Sequence, residues 1–314
     1  MLEEVERWLA TRSWSVADIP QHRVLAAKRA TGQSVSVVLP ALNEEPTVGD
    51  IVATIRRDLV ERTPLVDEIV VVDSGSTDRT AEVAAAAGAR VVHRDTILPR
   101  IPALPGKGEV LWRSLLATDG DVVCFVDADL RDFSSDFVVG TVGPLLTDPG
   151  IDLVKAMYDR PLGQAPGEGG RVTELVARPL LNMHWPRLAG FVQPLGGEYA
   201  ARRSLLERLP FPVGYGVELG MLVDALHLSG LDALAQVDVG VRRHRHQDSQ
   251  ALGRMAAAIY RTAQLRLARG HLLRPTLTQF ERTTTGFEPR TYQVDTEERP
   301  PMLDITEYTS RRVA

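Results

Sequence analysis

Two carboxylates with one residue between them, Asp127-Ala128-Asp129, end the apolar run Val122-Val-Cys-Phe-Val126. A run this short, rich in Val and Phe, reads as a strand buried on both faces. Parallel α/β sheets bind ligands just beyond the carboxyl ends of their strands, which puts both carboxylates at the mouth of a cleft. Residues i and i+2 of an extended chain point to the same side, and two carboxylates aimed together need a cation. Magnesium and manganese take such hard oxygen ligands, usually sharing them with a substrate phosphate. The competing reading is a solvated turn, since Asp is a common turn residue.

Other residues of similar promise also follow strands or open helices. Asp73 begins the polar loop Asp73-Ser74-Gly75-Ser76-Thr77-Asp78 after the strand 68–72. An acidic residue there accepts hydrogen bonds from a ribose or base, or else caps the next helix. In Pro105-Gly106-Lys107-Gly108-Glu109, glycines admit a ligand close to the backbone and Lys107 supplies a point charge. The spacing is not that of a Walker loop, and a flexible turn competes. The glycine-rich loop 163–170 delivers Arg171 and Thr173 to a helix start, an anion site in form. The plainer alternative pairs Arg171 with Glu174 or Glu168. Glu218 follows Gly214-Tyr215-Gly216-Val217 and either complements a helix dipole or contacts a sugar hydroxyl. Arg242-Arg-His244-Arg-His246 follows a late strand. A neutral His is able to join a carboxylate and a diphosphate around a metal, with the arginines offsetting phosphate charge; a solvated basic face is the alternative.

The elements that must position these groups alternate. Strands are expected at 34–39, 68–72, 90–93, 122–126, 151–158 and 237–241, with amphipathic helices at 47–61, 110–118, 219–228 and 252–269 and an Ala-rich helix capped by Gly88. This is α/β, a doubly wound, mostly parallel sheet flanked by helices. Residues 34–150 read as a nucleotide-binding half and 151–250 as a second half. Residues 1–33 read as an extension with an apolar helix face at Val5, Trp8 and Leu9, and 251–314 as a helix and tail whose Thr-rich end lacks periodicity. With 314 residues, 44% hydrophobic and 25% charged, the chain is ordinary for a globular protein. A net charge of -5 argues against nucleic acid. The lone Cys124 lies in a buried strand, a core residue suited to a reducing, cytoplasmic setting. No signal peptide or membrane span is expected.

The segment 35–45, the loop 73–78 and the Asp-Ala-Asp together resemble the GT-A glycosyltransferases. The fuller set tightens the likeness: Pro-Ala-Leu-Asn-Glu-Glu, Pro-Gly-Lys-Gly-Glu, Gly-Gly-Arg-Val-Thr-Glu-Leu, Gln-Pro-Leu-Gly-Gly-Glu-Tyr-Ala, Gly-Tyr-Gly-Val-Glu and Val-Arg-Arg-His-Arg-His. In this order they are similar to the actinobacterial glucosyl-3-phosphoglycerate synthases and their mannosyl relatives, over roughly residues 34–250 with further matches at 278–280 and 299–302. The resemblance implies a GT-A fold, a nucleotide-sugar donor (UDP-glucose or a GDP-sugar) bound by a nucleotide-sugar-binding half, 34–150, and D-3-phosphoglycerate as acceptor, bound by an acceptor-binding half, 151–250. It also implies transfer to the acceptor's 2-hydroxyl with retention, magnesium or manganese, and a homodimer. By position, Pro40, Ala41, Leu42, Glu44, Ser74, Lys107 and Tyr215 would hold the donor, with Asp127 at the ribose or sugar side. Asp129 and His244 would ligate the metal; Gly170, Arg171 and Thr173 would hold the acceptor; the Leu195 backbone and Glu218 would border the transferred sugar. His246 stands where glucosyl enzymes carry Asn, beside the acceptor. Retention implies either a covalent intermediate on Glu218 or same-face attack in which the leaving phosphate takes the acceptor proton, the expected course. A sugar-1-phosphate nucleotidyltransferase would need a glycine-rich basic signature after the first strand, where this chain has Pro40 to Glu45. A non-catalytic nucleotide-sugar-binding protein is the other alternative.

Overall fold

A computed structural model describes residues 2–160, 170–243, 248–267, 276–283, 286–294 and 297–313. Its strands are β1 (Ser13–Ser15), β2 (Val35–Ala41), β3 (Glu68–Asp73), β4 (Arg90–His93), β5 (Val122–Phe125), β6 (Leu153–Asp159), β7 (Tyr199–Arg202), β8 (Phe211–Pro212), β9 (Leu234–Val241), β10 (Thr276–Thr283), β11 (Gly286–Gln293) and β12 (Glu298–Arg299). The helices are α1 (Glu3–Arg12), α2 (Gln21–Thr31), α3 (Glu45–Ile55), α4 (Thr80–Ala86), α5 (Lys107–Ala117), α6 (Asp136–Thr147), α7 (Arg178–His184), α8 (Arg203–Leu206), α9 (Val217–Ser229), α10 (Ser249–Arg266) and α11 (Thr306–Val313).

One eight-stranded sheet runs in the order β1-β9-β6-β7-β5-β2-β3-β4. β5 lies inside it, parallel to β2 and antiparallel to β7, and its four residues are fully buried. Alternation along the strands divides the core between the two faces. Val38 and Val123 pack on one side with Leu153 and Leu234; Val37 and Cys124 pack on the other with Val154 and Ala235. Both layers therefore draw on residues from 34–150 and 151–250 alike, and the two halves share one sheet.

The structure bears out a mostly parallel sheet and adds to the sequence reading in three places. β7, a strand the sequence reading did not include, runs antiparallel to both neighbours inside the mostly parallel sheet. Its four residues, Tyr-Ala-Ala-Arg, are too few to show a period. Residues 2–33 are integral: β1 is the edge strand beside β9, and Trp8 is buried with its indole N–H donating to the Leu234 carbonyl at 2.7 Å. The Thr-rich end, which lacks apolar periodicity, carries strands among its described residues: β10 and β11 pair antiparallel and β12 pairs with β8.

Candidate active site

The ends of β2, β3 and β5 open on a cavity of about 760 Å³, a usual size for a small-molecule site. Pro40 and Ala41 close β2, and Leu42 and Glu44 follow in the turn that lines it. Asn43 holds that turn with a left-handed φ of 58°, a conformation Asn tolerates. Its side-chain oxygen accepts from the Thr77 N–H at 2.8 Å, and its own N–H donates to Ser76 Oγ at 2.9 Å. Thr47 Oγ1 donates to the Ala128 carbonyl at 2.6 Å, tying α3 to the Asp-Ala-Asp. Ser74 lines the cavity; Asp73 does not. The buried Asp73 carboxylate accepts from the Ser76 hydroxyl and N–H. That geometry clamps the Asp73 loop.

Asp127 sits between two cations. Lys107 Nζ is 2.5 Å from Oδ1 and Arg242 Nη2 is 2.7 Å from Oδ2. Burial pushes this carboxyl up, but the two cations together outweigh it and hold it well below the usual carboxylate range. Asp129 goes the other way: burial and the charge of Asp127 raise it against the pull of Arg242, 3.5 Å away. Lys107 also pairs with Glu218 Oε1 at 2.9 Å; burial alone would lower the ammonium, yet Asp127 and Glu218 raise it. Glu218 lies in the first turn of α9, where a negative end is favoured. Arg242 is fixed from behind by the fully buried Glu198, which accepts from its Nε at 2.8 Å and from the Tyr158 hydroxyl at 2.7 Å. A Cβ at Gly197 would fall on the Lys107 ammonium and both Asp127 oxygens, so glycine is what lets the chain pass this cluster.

Gly170, Arg171, Thr173, Leu195 and Tyr215 line the same cavity as Asp127, Asp129, Lys107 and Glu218. His244 and His246 lie outside the described residues. Arg243, just before His244, offers its carbonyl to the Arg131 N–H at 3.0 Å, two residues past Asp129. Sequence reasoning passed over Arg94, Tyr158, Arg160 and Gly197, which also line the cavity, and a wall of Leu252, Met255 and Ile259 from α10. Their i, i+3, i+7 spacing was visible, but such a stripe reads as core until a cavity is found beside it.

Among the described residues no group of three His, Cys, Asp or Glu side chains stands ready to hold a metal. Asp129 still fits one. Arg242, 3.5 Å away, is its ion-pair partner, and that long contact leaves acceptor capacity on a carboxylate in the cavity wall. A hard divalent cation ordinarily completes such a partial shell with phosphate oxygens and water.

Residues 36–138 match the profile of Glycosyl transferase family 2. The glucosyl-3-phosphoglycerate synthase of Mycolicibacterium smegmatis is 50% identical over 303 residues, spanning 95% of this chain and 98% of the relative. The chain belongs to the glucosyl-3-phosphoglycerate synthase family. The synthase of that name from Petrotoga mobilis is 44% identical and covers 88% of each chain. Among solved structures, the Mycobacterium tuberculosis glucosyl-3-phosphoglycerate synthase in complex with manganese, uridine diphosphate and phosphoglyceric acid superposes with a TM-score of 0.83. It has 48% identity and covers 93% of this chain and 95% of its own. The mannosyl-3-phosphoglycerate synthase of Rubrobacter xylanophilus superposes at 0.90, with 41% identity over 96% and 99% of the two chains. Membership of the synthase family decides against the nucleotidyltransferase alternative, and the mixed sheet is consistent with the GT-A fold.

Proposed function

We propose that the protein is a metal-dependent hexosyltransferase. It moves glucose or mannose from a nucleotide sugar to the 2-hydroxyl of D-3-phosphoglycerate and retains the anomeric configuration. The observation that carries this reading is a single cavity lined by Pro40 to Glu44, Ser74, Lys107 and Asp129 and also by Gly170, Arg171 and Thr173. Donor and acceptor groups expected from two distant parts of the chain meet in one space.

Pro40, Ala41, Leu42, Glu44, Ser74 and Tyr215 hold the nucleotide, and Asp127 faces the ribose or sugar side. Lys107 and Arg242 are kept charged by the carboxylates around them and supply positive charge where the departing diphosphate gains negative charge. Magnesium or manganese, when bound, adds charge stabilisation at that diphosphate, and Asp129 with His244 would hold it. Arg171 and Thr173 grip the acceptor's phosphate or carboxylate, with His246 beside them. The Leu195 backbone and Glu218 border the sugar. The bond from the anomeric carbon to phosphate breaks, the bond to the acceptor oxygen forms on the same face, and the acceptor proton passes to the leaving phosphate oxygen. The pairing of Glu218 with Lys107 supports this course over a covalent intermediate, because an ion-paired carboxylate is a weaker nucleophile. The homodimer and the cytoplasmic setting complete the proposal; among the described residues no helix is long and apolar enough to cross a membrane.

The test sets UDP-glucose, GDP-glucose and GDP-mannose, each separately, against D-3-phosphoglycerate with magnesium or manganese, and follows the product by mass. A hexosyl-3-phosphoglycerate is expected from at least one donor. Donor binding without nucleoside diphosphate release from any of them would point to the non-catalytic binding protein instead.

A further inference from the structure

Residues 297–302 lie outside the cavity lining, yet they fasten to the elements that carry its charged groups. The Glu297 carbonyl accepts from the Val213 N–H at 3.2 Å, and Glu298 and Arg299 pair in register with Pro212 and Phe211 of β8. β8 is in turn pressed against the first turn of α5. The Glu109 N–H donates to the Val213 carbonyl at 3.1 Å, and a Cβ at Gly108 would overlap the Pro212 carbonyl.

Two side chains of the segment reach into ion pairs on either side. Glu298 meets Arg266 of α10 at 2.6 Å, and Arg266 also pairs with Asp224 of α9. Arg299 takes both oxygens of Glu109, at 2.7 and 3.0 Å, and donates to the Pro102 carbonyl at 2.6 Å. Its guanidinium stacks 5.3 Å from the Trp112 ring, whose indole N–H donates to the Pro300 carbonyl at 2.9 Å. Glu109 is fully buried, and its Oε1 also accepts from Arg113 Nε at 2.6 Å.

Glu109 is two residues from Lys107, about 200° away around a helix of 3.6 residues per turn. A carboxylate gripped there sets the rotation of α5 about its axis and so the swing of the lysine on its other side. We infer that Arg299 is a positioning residue: the strap 297–302 holds Glu109, and through α5 it keeps the Lys107 ammonium between Asp127 and Glu218. A bidentate guanidinium–carboxylate pair fixes orientation as well as distance, which a single point charge does not. The inference deepens the glycosyl-transfer reading, since it is that reading which makes the placement of Lys107 matter for turnover.

The chain has three lysines, Lys28, Lys107 and Lys155, so amine-directed labelling followed by peptide mass resolves each one. In Arg299→Gln, labelling of Lys107 should rise severalfold relative to Lys28 while Lys155 stays protected; Arg299→Lys should fall between this variant and the parent. Unchanged Lys107 labelling would overturn the inference, and so would Lys107 and Lys155 rising together, which signals general loosening. In the assay, Arg299→Gln should lower kcat by about tenfold or more, the scale of a small misplacement at a reacting centre. KM for 3-phosphoglycerate should stay within about twofold. An unchanged kcat would also overturn the inference. A parent protein that transfers no hexose refutes the functional reading, while the labelling result still decides whether the strap positions Lys107.

Discussion

Lys107 and Glu218 show how much of this site lies in the company a residue keeps. A lysine between glycines and a glutamate at a helix start are each commonplace in sequence. In the fold their side chains meet at 2.9 Å, and the same ammonium reaches Asp127. Replacing Glu218 by Gln removes a charge but keeps shape and most hydrogen-bonding capacity. If the leaving phosphate takes the acceptor proton, Glu218→Gln should lower kcat yet leave turnover measurable, with donor affinity little changed. Steady-state kinetics with calorimetry of the donor checks this. Complete loss of turnover with normal binding of both substrates would assign Glu218 the nucleophile's role. Gly197 makes the complementary point: it does no chemistry, yet any side chain there would displace the Lys107–Asp127 pair.

At the scale of elements, the edge of the sheet depends on a short N-terminal piece. β1 has only three residues, and a strand that short cannot hold itself in register. α1 holds it instead. Trp8 bonds to the Leu234 carbonyl at the start of β9, and its ring meets Phe191 at 4.7 Å. Trp8→Ala should destabilise the protein by about 3–5 kcal/mol, the usual cost of deleting a buried aromatic. Chemical denaturation checks the value, and a loss below about 1 kcal/mol, the level of an ordinary point substitution, would show that α1 is dispensable.

For the whole molecule, the notable cost is the charge gathered under one cavity. Lys155 on β6 is buried beneath Tyr199, its ammonium 4.8 Å from the ring and bonded to the Gly196 carbonyl at 2.7 Å. Burial pushes it down from 10.5 to about 8, opposed by Glu218 and, more weakly, by Glu198 and Asp127, while Lys107 adds to the depression. The sign follows from which state holds more protons. Between about 8 and 10.5 the unfolded chain keeps the Lys155 proton that the folded chain has released. Stability attributable to this group therefore rises with pH across that window, and the cost of burying the charge is fully present below it. Relative to Lys155→Met, the parent's urea midpoint should climb from pH 8 to pH 10 and run parallel below pH 8. Parallel curves throughout would show that Lys155 keeps its ordinary affinity for the proton.

The linear order of residues determined the alternation of strands and helices from β2 to β5, because apolar periodicity is local and each strand end is marked by polar or acidic residues. It also determined the candidates Asp127, Asp129, Lys107, Arg171 and Glu218, since each sits at a strand end or helix start where ligands gather. The antiparallel β7, the edge strand β1 and the strap at β12 were decided only by tertiary structure. Their segments are too short or too polar to carry a period, and they exist because a neighbour's backbone pairs with them. The inward turn of Asp73 and the α10 wall of Leu252, Met255 and Ile259 were decided the same way, since hydrogen-bond competition and cavity shape are relations between distant residues.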